Sequence, residues 1–231
     1  MQSPIILAVD TDSLDIACKW VSATKDYVST YKLGLEFFLS FGSDGVKKIQ
    51  DVAQSDIFLD LKLHDIPNTV SKSVQAVSHL HPKFLTVHAS GGEAMVSAAA
   101  KAAGDIEITA VTILTSLSQS DIDSIGFSGT VEKIAANLAS QSALAGARAI
   151  VCSPFEISAI RRAVGEGVHI ITPGVRLVSS GDDQKRVKTP KEAMSEGADY
   201  IVVGRPITGA WSDGAAAMSA AAERILSSLD H

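Results

Sequence analysis

The sequence predicts an α/β fold of one domain over residues 1–231, a (β/α)8 TIM barrel. Short segments rich in aliphatic residues alternate with stretches of helical spacing, eight such strand-like segments recur, and polar residues collect at their ends. The first four segments are IILAVD from Ile5, YVSTYKLG from Tyr27, IFLDLKL from Ile57 and FLTVHAS from Phe84. The series continues with IEITAVTIL from Ile106, ARAIVCS from Ala147, VHIITPGV from Val168 and YIVVGRP from Tyr200. Such nearly continuous apolar runs suit parallel strands that helices cover. Between them, helical spacing with start signals appears in DSLDIACKWVSA from Asp12, NTVSKSVQAV from Asn68, GTVEKIAANLASQSALAG from Gly129 and TPKEAMSEGA from Thr189. The Ala-rich stretches SAAAKAAG and AAAMSAAAERIL read as close-packed outer helices. An open doubly wound sheet shares the alternation, but eight strands ending in a helix favour closure. No linker rich in Pro, Gly or Ser divides the chain.

Composition narrows the function classes. Hydrophobic residues make up 46% and aromatics only 5%, so the core is built mainly from Ala, Val, Ile and Leu. Twenty Lys and Arg against 26 Asp and Glu leave a net charge of −6, which disfavours nucleic acid and anionic membranes as partners. Any anionic ligand then needs a local basic pocket. The N-terminal MQSPIILAVDTD carries no charged leader before its apolar stretch, and no apolar run approaches the roughly 20 residues that span a bilayer. The expectation is a cytoplasmic protein. Cys18 and Cys152 lack a CxxC spacing and read as reduced packing residues.

The polar residues at the strand ends are Asp10, Lys32, Asp60 with Lys62, His88, Thr115, Ser153 and Arg205. In a closed barrel they meet on the C-terminal face, where barrel enzymes place their sites. Within FLDLKL, alternation turns Leu59, Leu61 and Leu63 to one face and Asp60 and Lys62 to the other. Alone, such a pair is most simply an ion pair plugging the barrel, since charges facing the interior are costly unless paired or solvated. Asp10, Lys32 and Asp65, which begins the next loop, argue for more, because charges of alternating sign then converge at one mouth.

The run Asp60-Leu61-Lys62-Leu63-His64-Asp65-Ile66, followed by Pro67-Asn68-Thr69, resembles the signature of the orotidine 5′-monophosphate decarboxylase family. The resemblance extends through AVD at Asp10, YKLG at Lys32, VHASGG from Val87, VTILTS with Thr115, TPGVR with Arg176, GDDQ with Gln184 and VVGRPIT with Arg205. It implies a cofactor-free, metal-free barrel that converts orotidine 5′-monophosphate to uridine 5′-monophosphate and CO2 in pyrimidine biosynthesis. It also implies a homodimer. Lys62 would donate the proton, and Lys32, Asp60 and Asp65 would complete a charged network in which Asp65 reaches the neighbouring subunit's site. Asp10 and Thr69 would hold ribose hydroxyls and Thr115 would contact the pyrimidine. Gln184, Gly204 and Arg205 would bind phosphate, with Arg176 on the same side.

The residues support the phosphate reading independently. Loops after the seventh and eighth strands of barrels commonly cradle a phosphate at a helix start. Gly204 admits a close backbone approach, Arg205 offers a planar fork of donors, and Pro206 suits a helix opening. Asp182 and Asp183, beside Gln184, are expected to face water, since inward they would repel a dianion.

His64 is expected to make a structural hydrogen bond, His88 to line the site, and His79 and His81 to lie around a helix end. Trp20 and Trp211 read as packing residues. Two rival functions share these features. A metal-dependent sugar-phosphate lyase or synthase on a related barrel resembles this chain in its Asp-x-Lys-x-x-Asp segment, but carries a Glu where Lys32 would repel a cation. A silent phosphate-binding barrel would not need the charged set at the mouth.

Overall fold

The computed structural model describes residues 3–177 and 188–229. In chain order the first half runs β1 (Ile5–Ala8), α1 (Leu14–Thr24), β2 (Thr30–Gly34), α2 (Leu35–Ala53), β3 (Asp56–Leu63), α3 (Pro67–Val77), β4 (Phe84–His88) and α4 (Glu93–Ala102). The second half runs β5 (Glu107–Val111), α5 (Gln119–Ser124), α6 (Val131–Leu144), β6 (Ala149–Val151), α7 (Ile157–Val164), β7 (His169–Pro173), α8 (Pro190–Ser195), β8 (Tyr200–Val203), α9 (Arg205–Thr208) and α10 (Ala215–Ser227). The eight strands form a closed barrel in sequence order, every pair parallel, and β1 closes it against β8 through Ile5↔Ile201 and Ile6↔Val202. The protein is therefore a TIM barrel, and each predicted strand segment contains one of its strands, except that β3 begins one residue earlier, at Asp56.

Helix starts follow the side chains that satisfy their free amides. Ser13 caps α1 and Thr130 caps α6. Pro67 opens α3, and Thr189 with Glu192 forms a reciprocal capping box on α8. Each such cap contributes about 1 kcal/mol. The short helix α5 was not expected from sequence; it follows β5 and carries its own box through Ser118 and Asp121. Helix α2 breaks at Gly42, whose φ of 57° belongs to the left-handed region.

Two apolar layers result. The larger lies between barrel and helices, with Trp20 and Trp211 packed on its border and Cys152 buried within it. Burial pushes the Cys152 thiol well above its usual range, so it stays protonated and inert. The smaller layer fills the barrel with Ile6, Ala8, Phe58, Phe84, Ala149, Ile171 and Val202. Phe58 and Phe84 meet edge to face at 5.6 Å in its middle.

This apolar plug separates two polar ends. At the N-terminal base, Lys83 donates to Asp56 at 2.8 Å and to the Tyr200 hydroxyl at 3.3 Å. Burial works against the Lys83 charge, yet these bonds outweigh it and raise its pKa. Arg161 donates to the carbonyls of Gly165, Val168 and Gly197 and to Asp199, whose carboxylate also accepts the Ile170 amide. At the C-terminal mouth the polar groups are arranged differently.

Candidate active site

The first three strands bring four charges into a chain at the mouth. Lys32, on β2, places its Nζ 3.3 Å from Asp10 Oδ1 and 3.6 Å from Asp60 Oδ2. Lys62 Nζ lies 2.7 Å from that same Asp60 oxygen. Asp60 is thus shared by two ammonium groups, and its other oxygen accepts the Thr86 hydroxyl at 3.0 Å. The Lys32 and Asp60 side chains are only 13% and 12% exposed, whereas Lys62 at 29% and Asp10 at 59% open toward solvent. Burial on this scale is tolerable only because each charge has a partner. The pairing also grades access: Asp60 is enclosed, and Lys62 is presented.

The backbone at Lys62 departs from the regular alternation expected of FLDLKL. Lys62 has φ 48°, a conformation that costs a side-chain-bearing residue on the order of 1–2 kcal/mol. The register against β4 shifts at the same place, from Leu59↔Leu85 to Leu63↔Val87. Over this step β3 advances by 63 − 59 = 4 residues and β4 by 87 − 85 = 2. The surplus is a bulge, a device that re-aims side chains next to functional sites. The freed Lys62 amide donates to Thr86 Oγ1 at 2.8 Å. Lys62 still joins Asp60, but through a bulge and not through plain strand pleating.

Past the bulge, the hydrogen bond expected of His64 is not found among the described residues. Its exposed ring lies 5.3 Å from that of His88, tilted by 42°, because the bulge redirects the chain before strand periodicity could place it. His88 is half-buried at the end of β4, and its pKa is lowered by burial, then by the neighbouring His64 and Lys62 charges. His79 and His81 do lie at the end of α3, where His79 Nδ1 sits 3.0 Å from the Ala76 carbonyl.

Two adjoining depressions surround the charged chain. A small one of about 160 Å³ is lined by Lys32, Phe58, Asp60, Lys62, Val151, Pro173 and Val202. A larger cleft of about 560 Å³ shares Lys32, Pro173 and Val202 with it and extends over Asp10, Arg176, Gly204 and Arg205. Both arginines are exposed, and neither forms an ion pair among the described residues. Gly204 precedes α9, which Arg205 and Pro206 open. Exposed Thr115 lines a third depression of about 400 Å³ with Ser153 and Lys188, which meets the large cleft at Pro173 and Gly174. Within it Glu156 is held above the usual carboxylate range by burial, despite accepting the Ser153 amide.

Asp65 and Thr69 stand apart from the charged chain. Both are exposed, and Asp65 accepts only the adjacent Ile66 amide among the described contacts. Ile66 between them is 66% exposed. Gln184, with Asp182 and Asp183, lies outside the described residues. No group of three His, Cys, Asp or Glu suited to a metal ion occurs among the described residues. Nor is any described helix long and apolar enough to cross a membrane.

Two residues of the site escaped the sequence reading. Thr86, fully buried, holds both Asp60 and Lys62, and its position inside an apolar strand gave no sign of that. Gly34 lies under the Asp10 to Lys32 pair, where an added Cβ would come within 3.3 Å of Lys32 Nζ. The YKLG segment contains it, but only the pairing of Lys32 with Asp10 over it shows why no side chain fits comfortably there.

Comparison with known proteins gives a consistent result. A family model described as the orotidine 5′-phosphate decarboxylase / HUMPS family matches residues 3–220. A protein named orotidine 5′-phosphate decarboxylase from Thermobifida fusca is 46% identical over 224 residues, covering 96% of each chain. One of the same name from Sphingopyxis alaskensis is 48% identical over 210 residues, covering 90% of this chain and 93% of the relative. The crystal structure of orotidine 5′-phosphate decarboxylase from Lactobacillus acidophilus superposes with a TM-score of 0.85 at 34% identity, covering all of both chains.

Proposed function

Since the chain belongs to the orotidine 5′-phosphate decarboxylase / HUMPS family, we propose that it decarboxylates orotidine 5′-monophosphate to uridine 5′-monophosphate and CO2 in pyrimidine biosynthesis, without a cofactor. The observation that carries this reading is Asp60, shared by Lys32 and Lys62 at the wall of a cleft that leads to Arg176 and Arg205. Such a cleft is basic at one end and alternates charge at the other. A nucleotide with a 5′-phosphate and a ring carboxylate matches both ends.

In this reading Arg205 and Arg176 take the phosphate, with Gly204 leaving the backbone open to it and Gln184 completing the set. Arg205 can present two parallel donors to a dianion. Asp10 and Thr69 take ribose hydroxyls, and Thr115 faces the pyrimidine. Binding energy from the phosphate end, far from C6, then aligns the reacting end.

At that end the bond between C6 and the carboxylate breaks and leaves its electron pair on C6, where the ring delocalises it poorly. CO2 departs. The Lys62 ammonium stabilises the developing charge and transfers its proton to C6, giving uridine 5′-monophosphate; Lys62 then regains a proton from water. Asp60 holds the ammonium in place and offsets the cost of keeping it part-buried. Close to the substrate carboxylate, Asp60 also disfavours the bound ground state until that group leaves.

Lys32 supports a metal-free reaction over the lyase or synthase reading. Its ammonium stands between the Asp10 and Asp60 carboxylates, where a divalent cation would be repelled. The exposed Asp65, beside the 66% exposed Ile66, supports a homodimer in which Asp65 reaches the neighbouring mouth. A cytoplasmic location completes the proposal. Metal-stripped protein in excess chelator should convert orotidine 5′-monophosphate, followed by ultraviolet absorbance, and should sediment at twice its 24.1 kDa chain mass. Binding of the nucleotide without conversion would favour the silent phosphate-binding barrel, and activity only on metal addition the lyase or synthase.

A further inference from the structure

Thr86 is buried completely on β4, within hydrogen-bonding reach of two groups of the charged chain. Its Oγ1 lies 2.8 Å from the Lys62 amide nitrogen and 3.0 Å from Asp60 Oδ1. A hydroxyl has one proton and two lone pairs, an amide only donates, and an ionised carboxylate only accepts. The direction of both bonds is therefore fixed: the Lys62 amide donates to Thr86, and Thr86 donates to Asp60.

These bonds reach the two residues in different ways. One holds backbone, at the bulge where Lys62 adopts φ 48°. The other holds the carboxylate that receives the Lys62 ammonium at 2.7 Å. Lys62 is thereby constrained twice, at its amide and through Asp60 at its Nζ, by a single hydroxyl. We propose that Thr86 is a positioning residue for the decarboxylation: its hydroxyl locks the bulged backbone of Lys62 and the carboxylate of Asp60 into one rigid unit, which aims the ammonium. This rests on the reading of Lys62 as proton donor. Thr86 does not touch the cleft and takes no part in substrate binding, so its influence falls on turnover.

The test compares wild-type protein with Thr86→Val, which keeps the shape and removes the hydroxyl, and with Thr86→Ser, which restores it. The kcat for orotidine 5′-monophosphate should fall on the order of 10- to 100-fold in Thr86→Val. Its KM and its affinity for uridine 5′-monophosphate should stay within about threefold, because the phosphate contacts are untouched. Thr86→Ser should return kcat to within about threefold of wild type. Amide exchange at Lys62, followed by NMR, should quicken by roughly tenfold or more in Thr86→Val and be slow again in Thr86→Ser. Unchanged kcat and unchanged Lys62 exchange in folded Thr86→Val would overturn the proposal. So would a loss of kcat that Thr86→Ser fails to restore, since the hydroxyl would then not be the cause. Should wild-type protein turn over no substrate, the functional reading falls, while the exchange measurement still decides whether Thr86 holds the Lys62 backbone.

Discussion

The two ends of the barrel both carry networks of opposite charges, but they use them differently. At the base, Arg161 spends its donors on three carbonyls and Asp199, and Asp199 in turn accepts the Ile170 amide. These contacts tie the end of α7 to β7 and to the start of β8. At the mouth, Lys62 sits at positive φ in a bulge and presents its ammonium to solvent beside one carboxylate. Arg176 and Arg205 hold no ion pair among the described residues. Arg161 closes its hydrogen-bonding capacity within the protein; the mouth leaves capacity open. Stability belongs to the first arrangement, and ligand chemistry to the second.

Breaking each end should separate these roles. Arg205→Ala is expected to lower kcat/KM on the order of 100-fold by removing charge-assisted bonds to phosphate, with unfolding in denaturant unchanged. Arg161→Ala should do the reverse. It leaves Asp199 and several carbonyls short of a donor, so denaturant titration should show a loss of about 2–3 kcal/mol, while turnover by the folded protein stays near wild type. A smaller effect sharpens the same contrast: Lys62→Ala relieves one ammonium but keeps Lys32 on Asp60, and its unfolding free energy should lie within about 1 kcal/mol of wild type.

The smallest effect concerns pH. His88 has a folded pKa below its unfolded value of 6.5, chiefly through burial. In the window just below 6.5 the unfolded chain binds the extra proton, so this group favours the folded state above that window and its contribution is lost as pH falls through it. His88→Asn should therefore flatten the stability profile below 6.5. A profile that keeps its wild-type slope there would assign the dependence to another group.

Much of this contrast was legible in the sequence. Aliphatic runs ending in Asp10, Lys32, Asp60 and Arg205 marked both the barrel and its functional end, because strand period and strand direction place those residues without knowledge of contacts. Caps such as Ser13, Thr130 and Thr189 were likewise local signals. What remained hidden depends on register between strands. The bulge at Lys62 is a mismatch of β3 with β4, and no local composition marks it. Thr86 appears as one β-branched residue in FLTVH and becomes informative only once Asp60 and Lys62 are beside it. Gly34 is similar, since its value comes from the Lys32 side chain that crosses over it.

The central claim is that the mouth works through the Lys62 ammonium. Its most direct test is the turnover of saturating orotidine 5′-monophosphate by folded Lys62→Ala, measured beside its affinity for uridine 5′-monophosphate. Loss of the proton donor and its charge should lower kcat by about 10⁴-fold or more, with the product still bound through the arginine end. Near-normal turnover in that variant would contradict the account.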